Sequence, residues 1–260
     1  MDFETLLYRV EEGVATITLN RPDKLNAIDA AMRTDLAKLP QRIALDSDVR
    51  VAIFTGAGRA FSAGGDIGHF EREWNTAEFR AHSHQLTNFF NEIEALEKPV
   101  IAALNGVTAG AGLQLALACD LRIASDQAQI GFRENFIGLI PGHGGASRLA
   151  KLVGVGRAKE LIFMGELIDA HEAKSIGLVS RVVTHDELMS EVYAIAGKLR
   201  ERAPQAIGLV KRLLNSTRDV DIQSGLLLES LAQSVLIKTE DHQEGLKAFR
   251  EKRKPKFKGK

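Results

Sequence analysis

The chain of 260 residues has one cysteine, Cys119, so it can build neither an internal disulfide nor a cysteine-based metal cluster. Lysine plus arginine and aspartate plus glutamate number 34 each, which removes the overall positive field expected of a nucleic-acid binder. Apolar runs are short. The longest, 107–119, contains Thr108 and Gln114 and reads as core rather than as a membrane span. The opening MDFETLLYRVEEG carries acids where a secretory or mitochondrial leader carries basic residues. GxxxxGK[ST] and HExxH are both missing, and Gly110-Ala-Gly112 lacks the third glycine of a dinucleotide fingerprint. His82 and His84 are two apart, a spacing that keeps them from facing each other on a helix. The expectation is a cytoplasmic protein with no metal, no permanently bound cofactor, and neither nucleic acid nor membrane as partner.

What is present is enough apolar sequence for a sizeable core, with 45% hydrophobic residues, punctuated by 23 glycines. Residues 14–19, 49–55, 99–104 and 120–125 read as strands from their β-branched and apolar content. Asp29 is placed to cap a helix through Leu36, Leu39 and Ile43, with Pro40 an irregularity inside it. Helical spacing covers 69–96 and 113–118. From Val183 onward strand signals vanish, and helices are expected over 185–203, 204–215 and 221–250. Strand, glycine turn and helix thus recur, the pattern of an α/β core. The helical tail divides from it near residue 200, giving an expected core over 1–200 and a helical region over 201–260.

Two glycine segments follow strands, Phe61-Ser-Ala-Gly-Gly-Asp66 and Gly106-Val-Thr-Ala-Gly-Ala-Gly112. If both strands run parallel, the segments lie on one sheet edge and their amides can converge on a single oxygen. Backbone N–H groups held in that way stabilise negative charge that develops during a reaction. The plainer reading is that the glycines only permit tight turns. Glu134 stands among Ile130, Phe132, Phe136 and Ile137, surroundings that disfavour a charged carboxylate and suit it to proton transfer. An ion pair with Arg133 or another basic residue is the structural alternative.

Asn20-Arg-Pro, Leu25-Asn-Ala27, Phe61–Ile67, Lys98–Gly106, Leu117–Arg122 and Ile140–Gly145 resemble, in order, the motifs of the crotonase (enoyl-CoA hydratase/isomerase) family. The resemblance reaches Phe249–Arg253. It implies a spiral of ββα units with a C-terminal helical region that drives trimer formation, commonly doubled to a hexamer. It implies a coenzyme A thioester as substrate, its oxygen held by the N–H groups of Gly65 and Ala111. Coenzyme A is implied to lie against Arg21, Leu25, Ala27, Ala63, Asp66 and Ile67. Phe249 and Lys252 would reach the coenzyme A of an adjoining subunit. The remaining basic residues of 250–260 read as a loose tail.

Typical hydratases of this family carry two glutamates. Glu134 matches the second, and Gln114 falls where the first stands. A glutamine can hold a water but cannot exchange a proton usefully. Three readings follow. Glu134 alone hydrates an enoyl thioester while Gln114 orients the water; or Glu134 moves a proton between α- and γ-carbons as a Δ3-Δ2 isomerase; or the substrate is a cyclic or dienoyl thioester, with His143 or Arg133 assisting. His143 also reads as a loop histidine facing water. Trp74, Phe79, Phe89 and Phe90 lie in the stretch that the resemblance assigns to the acyl pocket. A chain that binds acyl-CoA without chemistry is the remote alternative.

Overall fold

The computed structural model describes residues 3–217 and 219–260. Two strands, β1 (Leu6–Glu11) and β2 (Val14–Leu19), form a hairpin closed by Glu12 and Gly13, both at positive φ, as a two-residue turn of that hand requires. Helices α1 (Ala30–Leu36) and α2 (Leu39–Leu45) follow; Asp29 caps α1 by accepting from the Met32 N–H at 2.9 Å. Pro40 falls in the first turn of α2, where no intrahelical N–H is missed, so the expected single helix is two.

Next come β3 (Val51–Gly56), β4 (Ala60–Ser62), α3 (Ile67–Phe70) and α4 (Thr76–Ala95). The expected helix over 69–96 is therefore interrupted, and Asn75 caps its main part through the Glu78 N–H. The chain continues through β5 (Val100–Leu104), β6 (Val107–Ala109), α5 (Ala111–Ala118), β7 (Leu121–Ser125) and β8 (Gln129–Gly131). Then follow α6 (Gly145–Val153), α7 (Val155–Met164), β9 (Ile168–Asp169), α8 (Ala170–Ser175) and β10 (Arg181–Val183). The tail is α9 (Leu188–Arg200), α10 (Pro204–Thr217), α11 (Ile222–Leu236) and α12 (Glu240–Arg250). The expected helix over 221–250 breaks before Glu240, where the Thr239 hydroxyl accepts from the His242 N–H and starts a new helix.

The strands form two sheets, ordered β1-β2-β3-β5-β7-β10 and β4-β6-β8-β9. Beyond the hairpin, every pairing in the first sheet is parallel. Each turn of the chain lays a long strand in the first sheet and a short one in the second before a helix. This is the ββα spiral. The short strands are too brief to show periodicity, and β1, with alternate residues open to solvent, also lay outside the strand expectations.

Alternation along the long strands splits the core. Ala15, Ile17, Ala52, Phe54, Val100 and Ala102 face Met32, Leu36, Leu86, Phe90 and Leu113 from the helices on one side. Val51, Ile53, Ile101, Ala103 and Ile123 face Leu188, Val192 and Ala196 of α9 on the other. A parallel sheet covered on both faces explains the nearly unbroken apolar sequences of β3 and β5.

The basic tail is not loose. Asp241 accepts from the N–H groups of Lys258 and Gly259 at 2.6 and 2.8 Å, and Glu244 pairs with Arg253 at 2.6 Å. Two carboxylates on α12 thus hold the segment that its composition marked as frayed. Among the described residues no helix is long and apolar enough to cross a membrane.

Lys211 fastens α10 to the sheet. It is 8% exposed and pairs with Asp120 at 2.8 Å, while Asp120 also accepts from the Val100 N–H at 2.7 Å. Removing one member of a buried pair strands the other charge, so Lys211→Ala is expected to cost about 3 kcal/mol. Urea denaturation checks this, and Lys211→Met with Asp120→Asn should regain most of the loss.

Candidate active site

The two glycine segments meet. Gly64 has φ 106° and Gly110 φ 50°, conformations that L side chains rarely adopt. A methyl group on Gly64 would lie 3.0 Å from the Ala109 carbonyl oxygen and 3.3 Å from the Ala111 nitrogen. One on Gly110 would lie 3.5 Å from the Gly64 Cα. Both strands that deliver these segments run parallel, β3 beside β5 and β4 beside β6, so the chain leaves the sheets at one edge.

Ala111 opens α5, and the first N–H groups of a helix have no intrahelical partner. Gly65 sits in an isolated parallel bridge with Ile28. There the Ile28 N–H donates to the Gly64 carbonyl at 2.7 Å and the Asp66 N–H donates to the Ile28 carbonyl at 3.1 Å. The flanking residues make the bonds of the bridge, which turns Gly65's own N–H the other way. Two backbone donors therefore stand on segments in van der Waals contact, with the positive end of a buried helix behind one of them.

Glu134 comes to the same place. Its Oε1 would lie 3.4 Å from a methyl on Gly110 and accepts from the Gln114 amide at 3.1 Å; its Oε2 accepts from the Arg133 N–H at 3.0 Å. Burial pushes its pKa above the ordinary carboxylate value, against backbone and Gln114 hydrogen bonds that pull it down. The Arg133 guanidinium lies instead over the Phe136 ring, 5.2 Å from its centroid, and among the described residues Glu134 has no ion pair. Gln114 is 3% exposed, and its Oε1 has no hydrogen-bond partner. A buried acceptor left open in this way is costly unless a donor arrives.

The remaining expected residues divide into two places. Arg21, Leu25 and Ala27 adjoin Ala63, Asp66 and Ile67: the Ala63 N–H donates to the Leu25 carbonyl at 2.9 Å. Arg21 donates to the Ala27 carbonyl at 2.6 Å and pairs with Asp29 and Asp66 at 3.1 and 3.2 Å. Leu25 and Asn26 both have left-handed backbone, a strained choice for Leu25. The buried Asn26 amide enforces it by donating to the Ala57 and Ala60 carbonyls at 3.0 and 2.8 Å. Phe249 lies in the last turn of α12 and Lys252 two residues beyond it, and no hydrogen bond or ion pair among the described residues joins them to this surface. Phe249 is 84% exposed.

His143 does not face water. Its Nδ1 is 2.9 Å from the Thr87 hydroxyl, and its ring packs edge-on to Phe90. Burial, then the charge of Arg33, pushes its pKa down to about 4. Phe89 and Phe90 are core, while Trp74 and Phe79 line a cavity with Ile67, Phe70, Ile137 and Leu139. His69 and His82 stack at 4.7 Å, yet among the described residues no group of three or more His, Cys, Asp or Glu could hold a metal ion. Sequence reasoning missed Arg33, which is 5% exposed. Its place three residues before Leu36, on the apolar stripe of α1, was the available signal.

Two backbone donors, one at the mouth of a helix, thus stand beside a half-buried carboxyl, an arrangement able to stabilise negative charge on a carbonyl oxygen. The family model described as "Enoyl-CoA hydratase/isomerase" matches residues 9–260. The chain is 42% identical over 255 residues to the short-chain-enoyl-CoA hydratase of Clostridium acetobutylicum, covering 98% of this chain and 97% of that one. It is 38% identical over 258 residues to the crotonyl-CoA hydratase of Syntrophomonas wolfei, covering 99% of each. The crystal structure of an enoyl-CoA hydratase from Bacillus anthracis superposes with a TM-score of 0.95 at 39% identity, covering 99% of this chain and 100% of that one. The protein belongs to the enoyl-CoA hydratase/isomerase family and is an enzyme of that type acting on acyl-CoA thioesters.

Because burial raises the Glu134 pKa, the folded state holds that proton more tightly than the unfolded chain does. The resulting stability is full below the unfolded pKa and is lost as pH rises through the folded one. Glu134→Gln is therefore expected to melt at a higher temperature than the parent near pH 7, with the gap closing toward about pH 4. Paired thermal melts across that range test it.

Proposed function

We propose that the protein is a hydratase that adds water across the double bond of a 2-enoyl-CoA. The open Gln114 Oε1, buried beside the carboxyl of Glu134, is the observation that carries this reading. A water donating there would stand within reach of Glu134. The thioester oxygen would accept from the N–H groups of Gly65 and Ala111. Glu134 takes a proton from the water as its oxygen bonds to the β-carbon, and the π electrons move to the thioester oxygen as an enolate. The enolate collapses as Glu134 returns the proton to the α-carbon. One water is consumed, and Glu134 ends as it began. Loss of one backbone donor in such a site costs about 3 kcal/mol of transition-state stabilisation.

A carboxyl with a raised pKa can serve on both halves of this cycle. The relatives named hydratases support the same reading. Δ3-Δ2 isomerisation is the second reading, favoured by there being one mobile base; it gives the open Gln114 oxygen nothing to do. Arg21, Leu25, Ala27, Ala63, Asp66 and Ile67 would form the wall for coenzyme A, its shape set by the Arg21 ion pairs. Phe249 and Lys252 would reach the coenzyme A of an adjoining copy.

The 201–260 region would join copies into a trimer, or a hexamer of two trimers. Supporting this, Leu226, Leu227, Leu231 and Val235 of α11 are 48–61% exposed in the isolated chain, a stripe that water alone does not favour. Leu231→Asp is expected to shift the sedimentation coefficient toward that of the monomer.

Incubation with 2-enoyl- and 3-enoyl-CoA thioesters in heavy water, followed by mass analysis, tests the chemistry. A 3-hydroxyacyl product bearing deuterium at the α-carbon is expected from the 2-enoyl substrate. Shifted double bonds without hydroxyacyl product would make the protein an isomerase. Glu134→Gln should lower kcat by roughly a hundredfold or more while leaving Kd for the thioester within a few-fold. Gln114→Glu should raise hydration of a simple 2-enoyl thioester.

A further inference from the structure

Beside the catalytic groups lies a cluster that the proposed chemistry does not use. Arg33 is 5% exposed on α1, and its Nη1 donates to the Nε2 of His82 at 2.7 Å. Its Nε has no partner, and among the described residues the guanidinium has no ion pair. Because His82 Nε2 accepts, its ring proton sits on Nδ1. The His82 ring stacks on His69 at 4.7 Å and lies 4.9 Å from Trp74. His143 is on the other flank. Thr87 spends its hydroxyl proton on the Ser83 carbonyl, so His143 Nδ1 carries the proton and donates to Thr87.

The cluster reaches the reacting centre from two directions. His69 adjoins Phe70, whose ring edge would lie 3.0 Å from a methyl on Gly65. His143 is two residues before Gly145, where a methyl would lie 2.8 Å from the Gln114 Cγ. A buried cation is ordinarily paired. The carboxylates whose fields reach these groups are Asp29 for Arg33 and Asp66 for His69, and Arg21 already pairs with both. The site therefore gathers the buried Arg33 guanidinium and three imidazoles, two of them against Trp74, over whose ring the Arg72 guanidinium also lies at 4.3 Å; the one carboxylate lining the adjoining cavity, Glu71, is exposed and makes no ion pair with Arg33 among the described residues. An entirely apolar acyl tail would leave the Arg33 guanidinium buried and uncompensated.

We propose that the acyl group this protein accepts ends in a carboxylate, which pairs with Arg33 and accepts from the imidazoles beside it. The substrate class is then the monothioester of an unsaturated dicarboxylic acid. This rests on the reading of the site as one for enoyl thioesters, and it names the substrate class within that reading.

Saturated thioesters, which cannot be hydrated, separate recognition from chemistry. Calorimetric titration would compare butyryl-CoA with glutaryl-CoA and adipyl-CoA. The better of the two dicarboxylate thioesters is expected to bind roughly tenfold or more tightly than butyryl-CoA. Arg33→Leu should bring it down to the butyryl level, and Arg33→Lys should restore part of the difference. Equal or tighter binding of butyryl-CoA by the parent protein overturns the proposal without any variant having to fold, as does a preference that survives in Arg33→Leu. Either result leaves hydration of simple 2-enoyl thioesters, read by turnover in heavy water, to stand or fall by itself.

Discussion

The constraint on which the site depends is the close approach of two backbone segments, at Gly64 and Gly110. A side chain is strained at both, since both have positive φ, and at Gly64 it would also crowd the other segment's backbone, 3.0 Å from the Ala109 carbonyl oxygen. Parallel pairing in the two sheets brings the segments to one edge, and the bridge from Ile28 to Gly65 fixes which amide of the first segment turns inward. Asn26 locks that bridge from beneath through four hydrogen bonds: its side chain joins the Arg21 N–H and two carbonyls, and its own carbonyl accepts from Ser62 Oγ. The donors are thus positioned by main chain held from several directions. Donors positioned before the reaction need no reorganisation as charge develops, which is the source of their effect.

Glu134 shows the opposing side of this arrangement. Burial raises its pKa, which suits it to the proton transfers of the proposed cycle, while the ionised form is held at a cost in stability. Gln114 moderates that cost by donating to Oε1, and it leaves its own oxygen unsatisfied. Two polar groups are therefore poised rather than satisfied. A fold can carry such groups because the surrounding core, sealed on both faces of the first sheet, supplies stability elsewhere.

Much of this was legible in the residues. The long strands, the cap at Asp29 and the glycine segments were visible, because each leaves a local signature of composition or spacing; of the four apolar neighbours that singled out Glu134, Ile130 and Phe132 are buried, whereas Phe136 and Ile137 are 63% and 49% exposed. The short strands of the second sheet were not, since three residues are too few for alternation to register. Breaks at Glu71–Asn75 and before Glu240 were missed because a capping residue inside a continuous helical pattern looks like an ordinary polar position. The tail from Arg250 to Lys260 misled through its charge: its partners, Asp241 and Glu244, lie on the preceding helix and are joined to it only by tertiary folding. His143 misled likewise. Its burial comes from Thr87 and Phe90, more than fifty residues earlier in the chain.

Gln114 and Arg33 make sense together. A second carboxylate at position 114 would lie against Glu134, raise its pKa further by like-charge repulsion, and add negative charge to the site. For a neutral acyl chain that charge would matter little beyond the proton chemistry. For an acyl chain ending in a carboxylate it would oppose binding in a region where burial weakens screening. A neutral amide at 114 keeps the hydrogen-bonding geometry and removes that repulsion, while Arg33 supplies the attraction. Under the proposed substrate class, the single acid and the unpaired guanidinium would follow from one requirement, the electrostatic balance of a pocket whose occupant brings negative charge at both its reacting oxygen and its far end.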